Sequence, residues 1–238
     1  QVGKDALANL PFNAFCLANN HIMDFGMKGL VDTQKALKEE NKFFFGAGMN
    51  VKEAYGIFEY QKNDIKVGFL NITENEFSSA TETSYGAAGF DLIRILELIN
   101  SHRGKYDYLF LIYHGGIEYY QYPSPRMRRL FRFFINSGIS GIIAHHAHVF
   151  NCFELYKNCP IFYGIGNFYA PTGHVMIDEY YESALLEMQA SDSCINFEII
   201  PIIFDSKSHE VRFMQKDQAS LFKQKLSYRN SILLQEIK

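Results

Sequence analysis

Three times along this chain an apolar, strand-like run ends in a short polar cluster that contains histidine. The run 13–18 ends in Asn19-Asn20-His21, the run 106–113 delivers His114-Gly115-Gly116, and the run 139–144 ends at His145-His146-Ala147-His148. The second run is almost unbroken, the mark of a strand covered on both faces. After two of the three runs a helical pattern follows closely. In sheets covered by helices the rim at the strand ends stays open, and ligands bind there.

The rest of the pattern fits an α/β chain. Residues 27–41 carry apolar side chains at 27, 30, 31 and 37 with charges between, which predicts an amphipathic helix. Residues 53–61 and 66–73 flank Lys62-Asn63-Asp64, a hairpin turn. A second helix is expected over 87–102, with Phe90, Ile93, Leu96 and Leu98 buried. A third is expected over 125–137, with Pro125 in its first turn and Gly138 as its stop. The second half reads as antiparallel strands over 150–168, 182–204 and 210–214, closed by a helix over 219–237. At roughly 150 residues per domain, a chain of 238 residues makes one large or two small domains. With no repeat, low-complexity tract or linker, a single α/β domain over 1–238 is expected.

Composition narrows the functional classes. An apolar share of 47% against 21% charged residues excludes general disorder. A net charge of −3 argues against a nucleic-acid partner, which selects a basic excess. No run of about 18 apolar residues is present, so no membrane span is expected. The four cysteines form no CxxC pair and read as reduced thiols. The chain opens at Gln1 without a secretory signal, which sets two expectations: a cytoplasmic location, and a longer protein of which this is the remainder. Gly46-Ala47-Gly48 and Gly164-Ile165-Gly166-Asn167 match no nucleotide-binding fingerprint, and no GxSxG elbow occurs.

Five of the eight histidines lie in the three clusters. In an extended strand His146 and His148 face the same side, so their imidazoles could converge on one metal pocket; a turn at that point weakens the inference. Asn19-Asn20-His21 adds a carboxamide oxygen and an imidazole, although the two asparagines and Asp24 could instead serve the loop and the start of the next helix. Nitrogen and oxygen donors without thiolates suit Mn, Fe or Zn. Glu118, four residues after His114, could orient an imidazole, act as a base, or pair with the arginine-rich helix below it. That helix carries Arg126, Arg128, Arg129 and Arg132, either a solvated face or a cradle for phosphate or an anionic polymer.

Five ordered blocks resemble the CapA family of bacterial capsule and poly-γ-glutamate synthesis proteins. Leu17-Ala18-Asn19-Asn20-His21 with Asp24 and Gly26 is similar to "LANNHxxDxG", and Gly46-Ala47-Gly48-Met49-Asn50 with Glu53-Ala54 to "GAGxNxxEA". His114-Gly115-Gly116-Ile117-Glu118-Tyr119 resembles "HWGxEY", residues 143–149 resemble "IGHHPHV", and residues 161–168 resemble "IFYSLGNF". The resemblance implies a calcineurin-like metallophosphoesterase fold, a four-layer β-sandwich flanked by helices, here lacking its N-terminal strand or strands. It implies Asn20, His114, His146 and His148 as metal ligands, His21 as the general acid, and a site of two divalent ions, Mn, Zn or Fe. Glu118 and Asn167 also fall on family motifs, and Glu118 is carried as a catalytic residue. The function implied is phosphoester hydrolysis in capsule or exopolysaccharide production. The alternative is a non-catalytic factor that handles an anionic polymer on the same scaffold. The family's acidic "GD" and "NLE" segments have no counterpart here, and Ala144, Ala147 and Gly115 replace the motif Gly, Pro and Trp.

Overall fold

The computed structural model describes residues 10–74, 77–169, 177–191 and 194–235, and the chain divides into two units, residues 1–114 and 115–238. The first unit runs β1 (Ala14–Cys16), α1 (Gly26–Glu39), β2 (Phe43–Phe45), β3 (Ala47–Gly48), α2 (Val51–Ala54), β4 (Phe58–Lys62), β5 (Ile65–Thr73), β6 (Gly86–Ala87), α3 (Leu92–Ser101) and β7 (Tyr108–His114). Asn63 takes φ 53°. That left-handed turn residue reverses the chain into the β4–β5 hairpin expected from Lys62-Asn63-Asp64. β5 then pairs parallel with β7, with Asn71 opposite Ile112 and Thr73 opposite His114. Phe58, Phe69 and Phe110 stack in sequence across these three strands, at 6.1 and 5.6 Å between ring centres, which gives the abundant phenylalanines a cross-strand role. Leu109 to Tyr113 are all buried, as their unbroken apolar run requires.

Two helices of this unit differ from the pattern reading. Residues 86–88 spend their backbone groups on strand-type partners: Ala87 N–H donates to Ser78 and Ala88 N–H to Gly46. α3 therefore starts only at Leu92, where the Asp91 carboxylate accepts from the Ile93 and Arg94 amides at 3.0 and 3.1 Å. Within it Ile95 and Ile99 are buried, while Ile93, expected inside, is 72% exposed. Ahead of β4, residues 51–54 form a helical turn instead of strand. Asn50 accepts from the Glu53 amide at 3.1 Å while the Glu53 carboxylate accepts from the Met49 amide at 3.0 Å, a reciprocal cap. In α1, Leu30 and Leu37 are buried, whereas Met27 and Val31 lie on the exposed side.

The second unit runs α4 (Pro125–Ser137), β8 (Gly141–His145), β9 (Phe153–Tyr156), β10 (Cys159–Phe162), a 3₁₀ turn (Asp178–Tyr180), β11 (Glu182–Ala190), β12 (Ile195–Asp205), β13 (Glu210–Phe213) and α5 (Lys216–Gln235). α4 has the predicted bounds. The Ser124 hydroxyl caps the Met127 amide at 3.1 Å, Pro125 opens the helix, and Gly138 at φ 119° ends it. β8 pairs parallel with β10, which turns back on β9 through Lys157 and Asn158, both at positive φ. Cys159 faces Tyr156 in that hairpin, not Cys152, and all four cysteines are free. β11, β12 and β13 form an antiparallel sheet whose side chains pack with Phe150, Phe162, Phe222 and Leu226. The chain is thus mixed α/β, with five α-helices among the described residues. None of them is long and apolar enough to cross a membrane.

The arginine-rich helix is only in part the solvated face, or the anion cradle, that its sequence leaves open. Arg128 and Arg132 both turn onto the carboxylate of Glu154 in β9, whose side chain is only 2% exposed. Arg128 donates at 3.1 and 3.4 Å, and the Tyr163 hydroxyl adds a bond of 2.6 Å. Burial pushes the Glu154 carboxyl up, but the bonds from Arg132, Arg128 and Tyr163 outweigh it and hold the group at about 2. Arg126 and Arg129 remain exposed.

Candidate metal centre

In the first unit, two strand ends supply a carboxamide and an imidazole to one another. β7 places His114, whose carbonyl accepts from Glu74 N–H at 3.0 Å and Thr73 Oγ1 at 3.1 Å. Its Nε2 lies 3.0 Å from the Asn20 Oδ1 in the loop after β1. The carboxamide oxygen can only accept, so Nε2 carries the hydrogen. The two asparagines separate in role. Asn19 folds the loop, accepting from the His21 amide at 2.9 Å and donating to Leu17 at 3.2 Å. Asn20 points to the histidine. His21 is exposed, and its Nδ1 is 2.9 Å from an Asp24 carboxylate oxygen. Asp24 does not cap α1: the cap position is Phe25, without a side-chain bond.

The second unit brings three of the predicted residues together. Ligand atoms of Glu118, His146 and His148 all lie within 4.8 Å of one another. Strand alternation does not achieve this. β8 ends at His145, and His146 and His148 both adopt left-handed backbone, at φ 87° and 58°, with ring centres 5.9 Å apart. Glu118 reaches them from the preceding loop, where Gly115 N–H donates to the His145 carbonyl and Tyr119 N–H to the Ala147 carbonyl. One Glu118 oxygen stands 3.8 Å from His146 Nε2, so its partner is the imidazole and not the arginine helix. His145 is outside the trio, and burial holds its imidazole down at about 4.

Asn167 sets the state of His148. Its amide nitrogen donates to the carbonyls of His148 and Tyr180 at 3.0 and 3.1 Å, which leaves its oxygen to accept from His148 Nδ1 at 2.9 Å. Nδ1 then carries the hydrogen, and Nε2 keeps the lone pair that a cation needs. Tyr119 stacks on the same ring at 5.8 Å. Two imidazoles and one carboxylate, with no thiolate, fit a divalent ion of the Mn, Fe or Zn kind. Asn71, absent from the sequence reading, was visible only as one carboxamide inside the apolar run 66–73. It is 1% exposed.

The mixed α/β fold is of the metallophosphoesterase type on its likeness to a solved structure. The structure of a Staphylococcus aureus protein described as a 5′-nucleotidase, solved with α-ketoglutarate, superposes with a TM-score of 0.58 at 18% identity, over 93% of this chain and 43% of that one. The capsule biosynthesis protein CapA of Bacillus anthracis is 32% identical over 194 residues, 79% of this chain and 46% of the relative. The PGA biosynthesis protein CapA of Bacillus subtilis is 30% identical over 201 residues, 82% of this chain and 52% of the relative. The chain therefore spans about half the length of these relatives. Residues 3–172 match the profile of the bacterial capsule synthesis protein family PGA_cap, and the chain belongs to that family.

Proposed function

We propose that this chain carries out metal-dependent hydrolysis of a phosphoester in the production of a bacterial capsule or poly-glutamate polymer. The observation that carries the proposal is the convergence of Glu118, His146 and His148, with the His148 tautomer preset by Asn167. These three would hold a divalent cation. Asn20 and His114, a carboxamide oxygen and an imidazole nitrogen, would serve as ligands of a second divalent ion. Two neutral donors bind a cation weakly alone, so that second position needs acidic ligands besides them.

A bound divalent ion supplies a water of lowered pKa and neutralises charge on the phosphoryl oxygens. His146 and His148 contribute nitrogen lone pairs, and Asn167 keeps the His148 ring oriented. Glu118, 46% exposed at its side chain, keeps an oxygen open to accept a proton from the attacking water. His21, its Nδ1 held by Asp24, gives the Nε2 proton to the leaving alcohol. The second reading, a polymer-handling factor, draws on the exposed Arg126 and Arg129, since Glu154 occupies Arg128 and Arg132.

Elemental analysis and Mn or Zn titration of the purified chain, with turnover of an aryl phosphate, test the main proposal. His146→Ala is expected to abolish both metal uptake and turnover. Undiminished turnover in that variant rejects the assignment. Salt-sensitive binding of poly-glutamate, lost on Arg126→Ala/Arg129→Ala in a chain without turnover, supports the second reading.

A further inference from the structure

We infer that Asn71 is a positioning residue that sets Asn20 against His114; the inference rests on the proposed role of those two side chains as ligands. Asn71 lies in β5 with 1% of its surface exposed, and it spends both ends of its carboxamide on the two segments that carry the pair. Its oxygen accepts from the Ala18 amide at 2.8 Å, two residues before Asn20. Its nitrogen donates to the Ile112 carbonyl at 3.2 Å, two residues before His114. One rigid group thus fixes the spacing between the loop after β1 and the end of β7.

The surroundings leave that carboxamide little room to move. Gly46 sits at φ 92°, and a Cβ added there would lie 2.2 Å from Asn71 Oδ1 and 2.8 Å from the Ala18 nitrogen. Leu17 N–H donates to Phe45 at 2.8 Å, so the segment entering the loop is held on its other side as well. The sequence alone shows only a polar residue where an apolar one would pack as well. An asparagine buried in a strand is retained at the expense of desolvation unless both its donor and its acceptor are used. Here both are used, and both lead to the candidate ligands.

The test reads the pair directly in metal-free, ¹⁵N-labelled protein, at one fixed pH. Long-range ¹H–¹⁵N spectra report whether His114 carries its hydrogen on Nε2 and whether that hydrogen is protected by its bond to Asn20; Asn20→Ala supplies the assignment. Asn71→Leu removes both tethers and is expected to lose the protected Nε2–H signal, while the amide spectrum of β5 and β7 stays dispersed. Mn affinity of the same variant falls by roughly tenfold or more, the scale found when groups that orient a ligand are removed. Should Asn71→Leu not fold, Asn71→Asp, of the same shape but unable when ionised to donate to Ile112, gives the same loss. A folded Asn71→Leu or Asn71→Asp protein with the His114 signal intact overturns the inference. Wild-type protein that binds no metal, yet loses the signal on Asn71 substitution, would defeat the metal proposal and leave the positioning role standing.

Discussion

Replacing Glu154 by Gln is the perturbation whose size follows most directly from the structure. The native carboxylate, 2% exposed, accepts from Arg128, Arg132 and Tyr163, and its pKa falls from an ordinary 4.5 to about 2. By linkage that depression corresponds to ~3 kcal/mol of stability at neutral pH. Truncating one member of a buried ion cluster costs about 3–5 kcal/mol in general, because the remaining charges are left uncompensated. The two routes agree on ~3 kcal/mol. The sign is set by a lowered folded-state pKa: the contribution is complete above 4.5 and is lost as pH falls through about 2. Urea unfolding followed by circular dichroism should therefore show Glu154→Gln less stable by ~3 kcal/mol at neutral pH. The gap should narrow below 4.5 and close only below about 2, once the wild-type group is also protonated. A neutral-pH difference under ~1 kcal/mol, the scale of an exposed ion pair, would refute the reasoning. So would a gap that does not change with pH.

Three further outcomes are expected. Asn167→Ala frees the His148 ring to change tautomer and should weaken Mn or Zn binding by roughly 10–100-fold, read by calorimetry, with the far-ultraviolet spectrum unchanged. Asp91→Ala removes the cap of α3 and should lower stability by ~1 kcal/mol in the same urea assay, with no change in metal affinity. A single domain over residues 1–238 unfolds in one transition at which circular dichroism and tyrosine fluorescence coincide; two separated transitions would divide it.

Much of the local structure was legible because near neighbours decide it. Ser124, Pro125 and Gly138 bound α4 through a hydroxyl cap, a preset φ and a left-handed stop, all short-range effects. The apolar run ending at His114 has the mark of a covered strand and is one, and Lys62-Asn63-Asp64 turns the chain as its composition suggests. The phase of α3 was less legible. Its start depends on the use of residues 86–88 by backbone groups of Ser78 and Gly46, which no helical periodicity reveals.

The site divides the same way. Residue type drew attention to the histidine clusters at three strand ends, and the family resemblance singled out Asn20, His21, Glu118, His114, His146 and His148 as their candidate site residues. Tertiary structure decided which of them meet, and how. Left-handed backbone at His146 and His148, and not strand alternation, brings the rings beside Glu118. The partner of Arg128 lies 26 residues away in Glu154, and the asparagine holding Ala18 lies 53 residues from it. Periodicity describes the face a residue occupies within its own element. The choice of a buried charge's counter-ion, or a buried amide's acceptor, is made by whichever distant segment the fold packs there, because desolvation makes an unpaired group untenable.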